Sequence, residues 1–295
     1  MHPALSELLR IGRCGPIARA LSPRIARLNI PGSRLVAYGV LGKPRRRGPV
    51  DVDVERDGLR WRFDLREDAQ RLMFLDLYEY ALRSRVLPQL LVGDTFVDVG
   101  ANVGFWSIPA ARRVGPGGRV VSFEPNPWAV ERFKRNVALN TDMGLAPIEL
   151  VDAAIGAEPA ELELYSFDLE AGASRATLQP GAVVGGPTAH VTVPVTTLDD
   201  VVDLEVDVLK IDVEGHELAV LDGARHLLSN APPRLIVIEV QGNLLVHAGV
   251  TPETLVARIE SFGYRSVDGD GSLARGLVRR PLRSDFFETV VFARA

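Results

Sequence analysis

The sequence is poor in cysteine, lysine and long apolar runs. Its single cysteine, Cys14, excludes an internal disulfide and a thiolate cluster for zinc. No apolar run approaches the roughly 20 residues of a membrane-spanning helix, and no apolar segment near the N-terminus precedes a small-residue cleavage site. With 46% hydrophobic and 24% charged residues, the composition predicts a soluble globular protein of the cytoplasm.

Charge is distributed unevenly along the chain. Residues 1–49 contain ten basic residues and one acid, whereas the remainder carries 24 basic and 37 acidic residues. In this basic arm, residues 4–9 and 17–21 are amphipathic segments that Pro16 and Pro23 are predicted to break. Three interpretations stay open: peripheral contact with an anionic membrane or an acidic partner, a solvated arm that packs loosely on its own domain, or a cleavable transit peptide.

A glycine-containing turn is the organising feature of the sequence. Residues 95–105 predict a strand, a tight turn and the start of a helix, and Asp98 lies in an apolar run typical of a strand buried in a parallel sheet. We expect Gly100 to let a ligand approach the main chain and Gly104 to let the helix lie close to the strand. The third glycine of the dinucleotide motif G-x-G-x-x-G is missing, which disfavours a pyrophosphate.

Further acidic residues follow the neighbouring strands. Glu124 ends the second strand, where an acid binds a ribose diol, and the carboxylate of Asp98 suits a cationic group. After the third strand, the side chain of Asp152 or the main-chain amide of Ala153 is a candidate adenine contact. A cationic nucleoside without phosphate matches S-adenosylmethionine; the alternatives are a nicotinamide dinucleotide, which we disfavour, and a turn that binds nothing.

The spacing of apolar and polar residues in the rest of the chain predicts the fold. Residues 50–63 alternate around Asp57-Gly58 as in a hairpin, and the spacing over residues 68–91 predicts a helix. Glu79 of this helix is either a ligand contact above the nucleotide pocket or a solvated side chain. Beyond it, strands and helices alternate, with the second and third strands predicted at residues 119–123 and 148–151 and two added strands at 162–167 and 191–195. The last strand, at residues 287–292, is predicted to be antiparallel. This predicts an α/β, doubly wound sheet that is mostly parallel.

The chain is predicted to have three parts and one long loop. The parts are a basic arm (1–49), an N-terminal hairpin and helix (50–92) and the sheet domain (93–295). A loop rich in Gly, Ser and Pro over residues 170–188 is predicted to be a substrate lid that contains Ser174 and Arg175.

Two acids at the ends of strands four and five are the first candidates for catalysis. Asp212 follows the run 206–211 and Glu239 follows the run 235–238. Neighbouring strands lie about 4.8 Å apart, so the two carboxylates can share a site at the carboxyl end of the sheet. They either raise the pKa of one of them toward that of a useful base or hold a divalent cation such as Mg²⁺. Both alternatives stay open.

Other polar residues surround these acids. His216 is a second candidate base. Glu214 and Glu217 are either active-site acids or helix N-terminal acids favoured by the dipole. Lys210 is one of three lysines among 34 basic residues, which indicates a requirement that a guanidinium does not meet. We expect it to pair with Asp212 or with the acid of strand five, or to orient a substrate hydroxyl; a snorkelling strand-end lysine is the alternative.

Several motifs together resemble one known family. The sequences GDTFVDVGANVG at 93–104, FEP at 123–125, TLD at 197–199 and LKIDVEG at 209–215 are similar to those of the FkbM family of S-adenosylmethionine-dependent methyltransferases, over about residues 75–240. The resemblance implies a class I methyltransferase (Rossmann-like) fold and O-methylation of a hydroxyl on a sugar, glycolipid or polyketide-type metabolite. It implies that the methyl donor is bound by Asp98, Gly100, Asn102 and Glu124, and that the active site is lined by Lys210, Asp212 and Glu214.

Two alternative functions are weighed against this one. N-methylation of nucleic acid or protein favours an Asn/Asp-Pro-Pro-aromatic turn after strand four, whereas residues 212–215 here read DVEG. The acidic body also disfavours a nucleic-acid partner. The second alternative is a non-catalytic module that binds the nucleotide and docks on a membrane or partner enzyme through its arm.

Overall fold

A computed structural model describes residues 16–28, 32–42, 44, 50–169, 175–183, 185–203, 205–267 and 287–294. Contacts divide the chain into two units, Met1–Ser84 and Arg85–Ala295. Of the predicted features, segment 4–9 and Ser174 lie outside the described residues. Within the described ranges, no helix combines the length and the apolar composition that crossing a membrane requires.

The first unit is built from helices and one hairpin. Its elements are α1 (Pro16–Ala26), α2 (Ser33–Leu41), β1 (Asp51–Arg56), β2 (Leu59–Asp64), α3 (Asp68–Leu75) and most of α4 (Tyr80–Val86). Strands β1 and β2 pair antiparallel. Asp57 and Gly58 between them have φ values of 51° and 66°, which a two-residue hairpin turn of this kind requires. The predicted hairpin is confirmed.

The single helix predicted over residues 68–91 is wrong, because the chain leaves the helix after Leu75. Asp76 adopts a left-handed conformation with a φ of 62°, and its N–H donates to two carbonyls of the preceding turn. The guanidinium of Arg56 donates to the carbonyls of Met73 and Phe74 at the same helix end. These contacts satisfy the end of α3 from a distant strand, which apolar spacing along the chain does not reveal.

The prediction that Pro23 breaks a helix is also wrong, since α1 continues through it. Ala18, Ser22 and Ala26 on one face of α1 are buried. The Ser22 hydroxyl donates to the Ala18 carbonyl at 2.6 Å. Burial of this face offsets the main-chain hydrogen bond that proline cannot make.

The second unit contains two sheets and the helices that connect their strands. Its strands are β3 (Thr95–Val99), β4 (Arg119–Phe123), β5 (Ile148–Val151), β6 (Ala154–Ile155), β7 (Ala160–Ser166), β8 (Ala189–Thr196), β9 (Val208–Ile211), β10 (Leu235–Gln241), β11 (Tyr264–Ser266) and β12 (Phe287–Arg294). Its helices are α5 (Ser107–Val114), α6 (Pro127–Ala138), α7 (Leu198–Val201), α8 (Glu217–Asp222), α9 (Arg225–Asn230), α10 (Gly242–His247) and α11 (Pro252–Ser261).

The larger sheet has seven strands in the order β11-β12-β10-β9-β3-β4-β5. The strands from β10 to β5 are parallel, and β12 runs antiparallel to both β10 and β11. The order reverses between β3 and β9, so right-handed crossovers place helices on both faces. This confirms the predicted Rossmann-like, doubly wound α/β sheet with an antiparallel last strand.

The core of the second unit lies around the central strands. Val97, Leu209, Ile211 and Ile236 are fully buried there, as expected for strands covered on both faces. Strands β6, β8 and β7 form the smaller sheet, which contains the two added strands predicted before and after the long loop.

Strand β10 is longer than predicted, and this positions the site. Glu239 lies inside β10 rather than after it, because β12 pairs with β10 as far as Gln241. Strand β9 ends at Ile211, which pairs with Ile238. The last part of β10 therefore extends beyond its neighbour in the sheet.

Candidate functional site

The turn after β3 lies against the end of β9. The N–H groups of Gly100 and Ala101 both donate to the Phe123 carbonyl, at 2.9 and 3.0 Å. Gly100 has a φ of +83°, and a Cβ on it would lie 1.7 Å from the carbonyl oxygen of Asp212. Glycine is therefore required by the neighbouring strand. The approach of a ligand to the main chain at Gly100 stays a prediction.

Asn102 and Gly104 shape the rest of the turn, and both have positive φ, 49° and 84°. A Cβ on Gly104 would lie 3.1 Å from the Phe133 ring and 3.2 Å from Ile108. The helices therefore pack closely at this glycine. Asn102 Oδ1 is buried and accepts no hydrogen bond from any described residue. It is an acceptor that the donor group of a ligand can satisfy.

Glu124 follows β4 and is 7% exposed. Its Oε2 accepts a hydrogen bond from the Asn102 N–H at 2.7 Å, and its Oε1 accepts one from the Asn126 N–H at 2.9 Å. Burial raises the pKa of Glu124 to about 7, and the charges of Asp98 and Asp212 add to the rise while the two N–H donors oppose it. The predicted ribose-binding acid thus also ties the glycine turn to β4.

Asp98 lies within β3, and its partner across the ladder to β9 is Lys210. Asp98 is fully buried, and its Oδ1 lies 3.3 Å from Lys210 Nζ. Its Oδ2 accepts a hydrogen bond from the Ser107 hydroxyl at 2.6 Å, and Ser107 accepts one from Ser122 at 3.0 Å. The charge predicted to face a cationic ligand is therefore compensated within the protein.

Lys210 joins two acids. Its Nζ lies 3.1 Å from Asp212 Oδ2 in addition to its contact with Asp98, and its side chain is 4% exposed. The centroid of the Trp106 ring lies 6.0 Å from Nζ, at the outer range of a cation–π contact. Because the Lys210 side chain is buried, the alternative of a lysine that extends its ammonium to solvent is wrong. The pairing with Asp212 was predicted from the sequence, whereas the pairing with Asp98 was not.

Three carboxyl groups meet at the ends of β9 and β10, and we refer to Asp212, Glu214 and Glu239 as the carboxyl cluster. Gln241 Nε2 donates to Glu214 Oε2 at 3.0 Å and to Glu239 Oε2 at 2.9 Å. Glu239 shares a hydrogen bond with Asp212. The Gln241 amide thus holds Glu214 and Glu239, and the Lys210 ammonium holds Asp212.

The carboxyl cluster favours bound protons. Burial raises the pKa of Glu214 and of Glu239 well above the usual carboxyl value, and the charge of Asp212 is the next contribution to each. Glu239 is 3% exposed, and Glu214 is half-buried. Like charges in a poorly solvated site cannot all ionise together, so Glu214 and Glu239 are inclined to the neutral form.

The long loop contacts this cluster. Thr177 Oγ1 donates to the main-chain carbonyl of Glu214 at 2.7 Å, and Glu214 has a φ of 52°. Burial raises the pKa of Glu214, and the charge of Arg175 opposes that rise. Arg175, predicted on a lid, is therefore electrostatically coupled to the carboxyl cluster.

His216 and Glu217 lie at the start of α8. His216 Nε2 lies 3.5 Å from the position of a Cβ on Gly156, and burial lowers its pKa. Glu217 is 1% exposed, its Oε1 accepts from the Gly215 N–H at 3.0 Å, and burial raises its pKa to about 7. In the part of the chain that the structure describes, no hydrogen bond joins His216 to the carboxyl cluster.

The other predicted ligand contacts are dispersed. The Asp152 side chain is 51% exposed and lies 2.9 Å from Lys134 Nζ. The Ala153 N–H donates to the Val151 carbonyl at 2.9 Å, which corrects the prediction that this amide is open to adenine. Glu79 belongs to the first unit, and its contact with a ligand stays a prediction.

Sequence reasoning missed three residues of the site. Gln241 lies two residues after Glu239, so both side chains occupy the same side of β10, and this spacing is a signal that could have identified it. Ser107 and Trp106 contact Asp98 and Lys210 from the start of α5. Neither has a local signal, because the turn that brings them there depends on its packing against β9.

Comparison with known proteins gives a match to one family model. Residues 98–266, more than half of the chain, match the model described as the methyltransferase FkbM domain. The matched span contains Gly100, Gly104, Glu124, Lys210 and the carboxyl cluster.

Individual relatives are more distant. Methyltransferase 1 of Beauveria bassiana is 31% identical over 149 residues, which are 44% of this chain and 58% of its own length. The hexuronic acid methyltransferase AglP of Haloferax volcanii is 23% identical over 211 residues, 70% of this chain and 78% of its own. A crystal structure of methyltransferase FkbM from Methylobacillus flagellatus aligns with a TM-score of 0.44 and 16% identity, over 76% of this chain and 54% of that one. The chain thus spans less than two thirds of the first of these relatives.

Proposed function

The chain belongs to the FkbM methyltransferase family, and on that premise we propose that it transfers a methyl group from S-adenosylmethionine to a hydroxyl oxygen. The acceptor that we propose is a sugar, a glycolipid or a polyketide-type metabolite. The observation that carries the proposal is the carboxyl cluster beside the glycine turn: Asp212 accepts from Lys210 at 3.1 Å, and its main chain is in van der Waals range of Gly100.

The residues around the glycine turn fit S-adenosylmethionine. When bound, this donor supplies an electrophilic methyl group on a sulfonium. Its ribose hydroxyls and its ammonium are hydrogen-bond donors, which suit the buried Asn102 Oδ1 and the carboxyl group of Glu124. The rim of the sheet also carries the carboxyl groups of Glu124 and Asp212, which favour a ligand with cationic or donor groups over a phosphate.

Asp212 is the proposed acceptor of the hydroxyl proton. Lys210 fixes its Oδ2, and Glu239 donates a hydrogen bond to it when protonated. A positioned carboxylate of this kind orients the acceptor hydroxyl and takes its proton as a general base. Glu214 and Glu239 are positioning residues in this proposal, because Gln241 holds both of them in place around Asp212. His216 is the weaker candidate base.

The proposed acceptor class is supported by the chemistry of the site and by one relative. Thr177 and Arg175 border the carboxyl cluster from the long loop, and such a polar surround suits a hydroxylated acceptor. AglP is named a hexuronic acid methyltransferase, which is consistent with a sugar. The acid-rich body of the chain disfavours a nucleic acid as the acceptor.

A divalent cation on Asp212 and Glu239 stays a prediction. The ammonium of Lys210 already supplies a positive charge 3.1 Å from Asp212. Mg²⁺ is usually held by one or two carboxylates and several waters, but Asp212 and Glu239 already have partners in Lys210 and Gln241. We therefore assign the electrostatic role to Lys210.

Methyl transfer from labelled S-adenosylmethionine to a glycan and metabolite extract tests the proposal. We expect Asp212→Asn to lower the rate by about a hundredfold or more while donor affinity stays within about threefold of wild type. Glu149→Gln is the matched control, because its side chain is 47% exposed on β5. Full activity of Asp212→Asn would remove this residue from the mechanism, and failure of the wild type to bind the donor would refute the function.

A further inference from the structure

Helices α1 and α2 carry a surface that is apolar and basic. Residues 16–42 contain four arginines and no acid. The apolar members of this surface, with their exposed fractions, are Leu21 (38%), Leu28 (50%), Leu35 (80%) and Val36 (55%). Its basic members are the exposed Arg24, Arg27 and Arg34. We name these seven residues the leucine–arginine surface.

This surface is not the packing face of the helices. Ala18 and Ala26 of α1 and Ala37 and Leu41 of α2 are buried, so each helix already has an inward apolar side. A helix on a water-exposed surface normally carries polar residues on its outer side. The outer side of α2 instead presents Leu35 and Val36, which indicates a contact with something apolar.

A recess adjoins the leucine–arginine surface. It has a volume of about 700 Å³ and is lined in part by Leu28, Leu35, Leu77 and Tyr80. The Arg34 guanidinium lies 5.8 Å from the centroid of the Tyr80 ring. The apolar area therefore continues to Leu77 and Tyr80, and Arg34 and Asp76 also line the recess.

We propose that the leucine–arginine surface docks on an anionic phospholipid bilayer. Amphipathic helices of this composition lie in the membrane interface with leucines in the acyl boundary and arginines at the phosphates. Charge complementarity favours this occupant, because the seven residues of the surface include three arginines and no acid. The side chain of Leu35 protrudes almost completely, which suits insertion among lipids. This inference is independent of the proposed methyl transfer.

Sedimentation of the full chain with vesicles tests the proposal. We expect the wild type to bind vesicles of phosphatidylcholine mixed with phosphatidylglycerol, to release at high ionic strength, and to ignore pure phosphatidylcholine. The double change Leu35→Ser and Val36→Ser should lower the partition coefficient by about tenfold or more. The double change Arg27→Gln and Arg34→Gln should lower the partition coefficient by about thirtyfold, since each basic residue near the membrane surface contributes about fivefold.

Matched control variants make the same changes in the second unit. Leu91 and Val92 are 60% and 83% exposed, and Leu91→Ser with Val92→Ser should leave binding unchanged. Arg119 and Arg135 are 42% and 55% exposed, and their change to glutamine should have less than about a threefold effect. Circular dichroism checks the folding of every variant. A wild type that stays in solution with anionic vesicles at low ionic strength overturns the proposal. Controls that lose as much binding as the test variants overturn it too.

Discussion

Replacing Lys210 with methionine leaves two acids without the cation that they share. Lys210 Nζ lies 3.3 Å from Asp98 and 3.1 Å from Asp212, and the Asp98 side chain is fully buried. The variant therefore isolates the electrostatic function of Lys210 from its apolar packing, because methionine keeps most of the side-chain length.

The expected loss in the free energy of unfolding follows from these distances. At an effective dielectric constant of about 20, each contact carries about 5 kcal/mol of Coulomb energy. The cost of burying the charges offsets much of this, and removing one partner of a buried ion pair typically costs about 3–5 kcal/mol. We expect Lys210→Met to lower the free energy of unfolding by that amount at neutral pH. Adding Asp98→Asn should restore about half of it, because the uncompensated charge is then gone.

Urea unfolding followed by circular dichroism measures the effect. Lys134→Met is the matched control: its ammonium lies 2.9 Å from Asp152, but both side chains are about half exposed, so the loss should stay below about 1 kcal/mol. Equal losses in the two lysine variants would refute the reasoning. A double variant no more stable than Lys210→Met would refute it as well, since it would show that the Asp98 charge is not what destabilises the protein.

Three other predictions concern the turn, the pH dependence and the metal. Gly100→Ala should lower stability by more than about 3 kcal/mol, measured by thermal unfolding, since its Cβ would meet the Asp212 carbonyl; Gly93→Ala, where φ is also positive but nothing lies within 4 Å, should cost about 1 kcal/mol. Burial raises the pKa of Glu217 from 4.5 to about 7, so the folded state binds this proton more tightly, and stability should fall as pH rises from about 5 to 7, by up to about 1.4 kcal/mol per pH unit. Urea unfolding at several pH values should show a flatter curve for Glu217→Gln, and an unchanged curve would contradict the assignment. Methyl transfer should survive dialysis against a chelator because Lys210 supplies the positive charge, and a loss restored by Mg²⁺ would instead place a metal on the carboxyl cluster.

The sheet was predictable because its strands are short apolar runs bounded by turn residues. The predicted second and third strands, 119–123 and 148–151, have the bounds of β4 and β5. The wrong predictions concern elements whose ends depend on contacts with distant parts of the chain. Arg56 of the hairpin stabilises the end of α3, and pairing with β12 keeps Glu239 inside a strand. Apolar spacing carries no information about either contact.

The candidate site was predictable in its location but only partly in its connections. The scarcity of lysine identified Lys210, and strand adjacency placed Asp212 near Glu239. The partner of Asp98 depends on the β3–β9 register, which the sequence does not fix, so an acid predicted to face a ligand instead compensates a lysine. The sequence also does not reveal that the main chain of Asp212 takes the space that a Cβ on Gly100 would need.

Calorimetric titration of the full chain with S-adenosylmethionine tests the central proposal most directly. We predict saturable binding at the crevice beside the glycine turn, weakened about tenfold or more by Glu124→Gln and unchanged by Glu149→Gln, with no heat from NADH. Absence of binding to S-adenosylmethionine by the folded wild type, or tighter binding of NADH, would contradict the account.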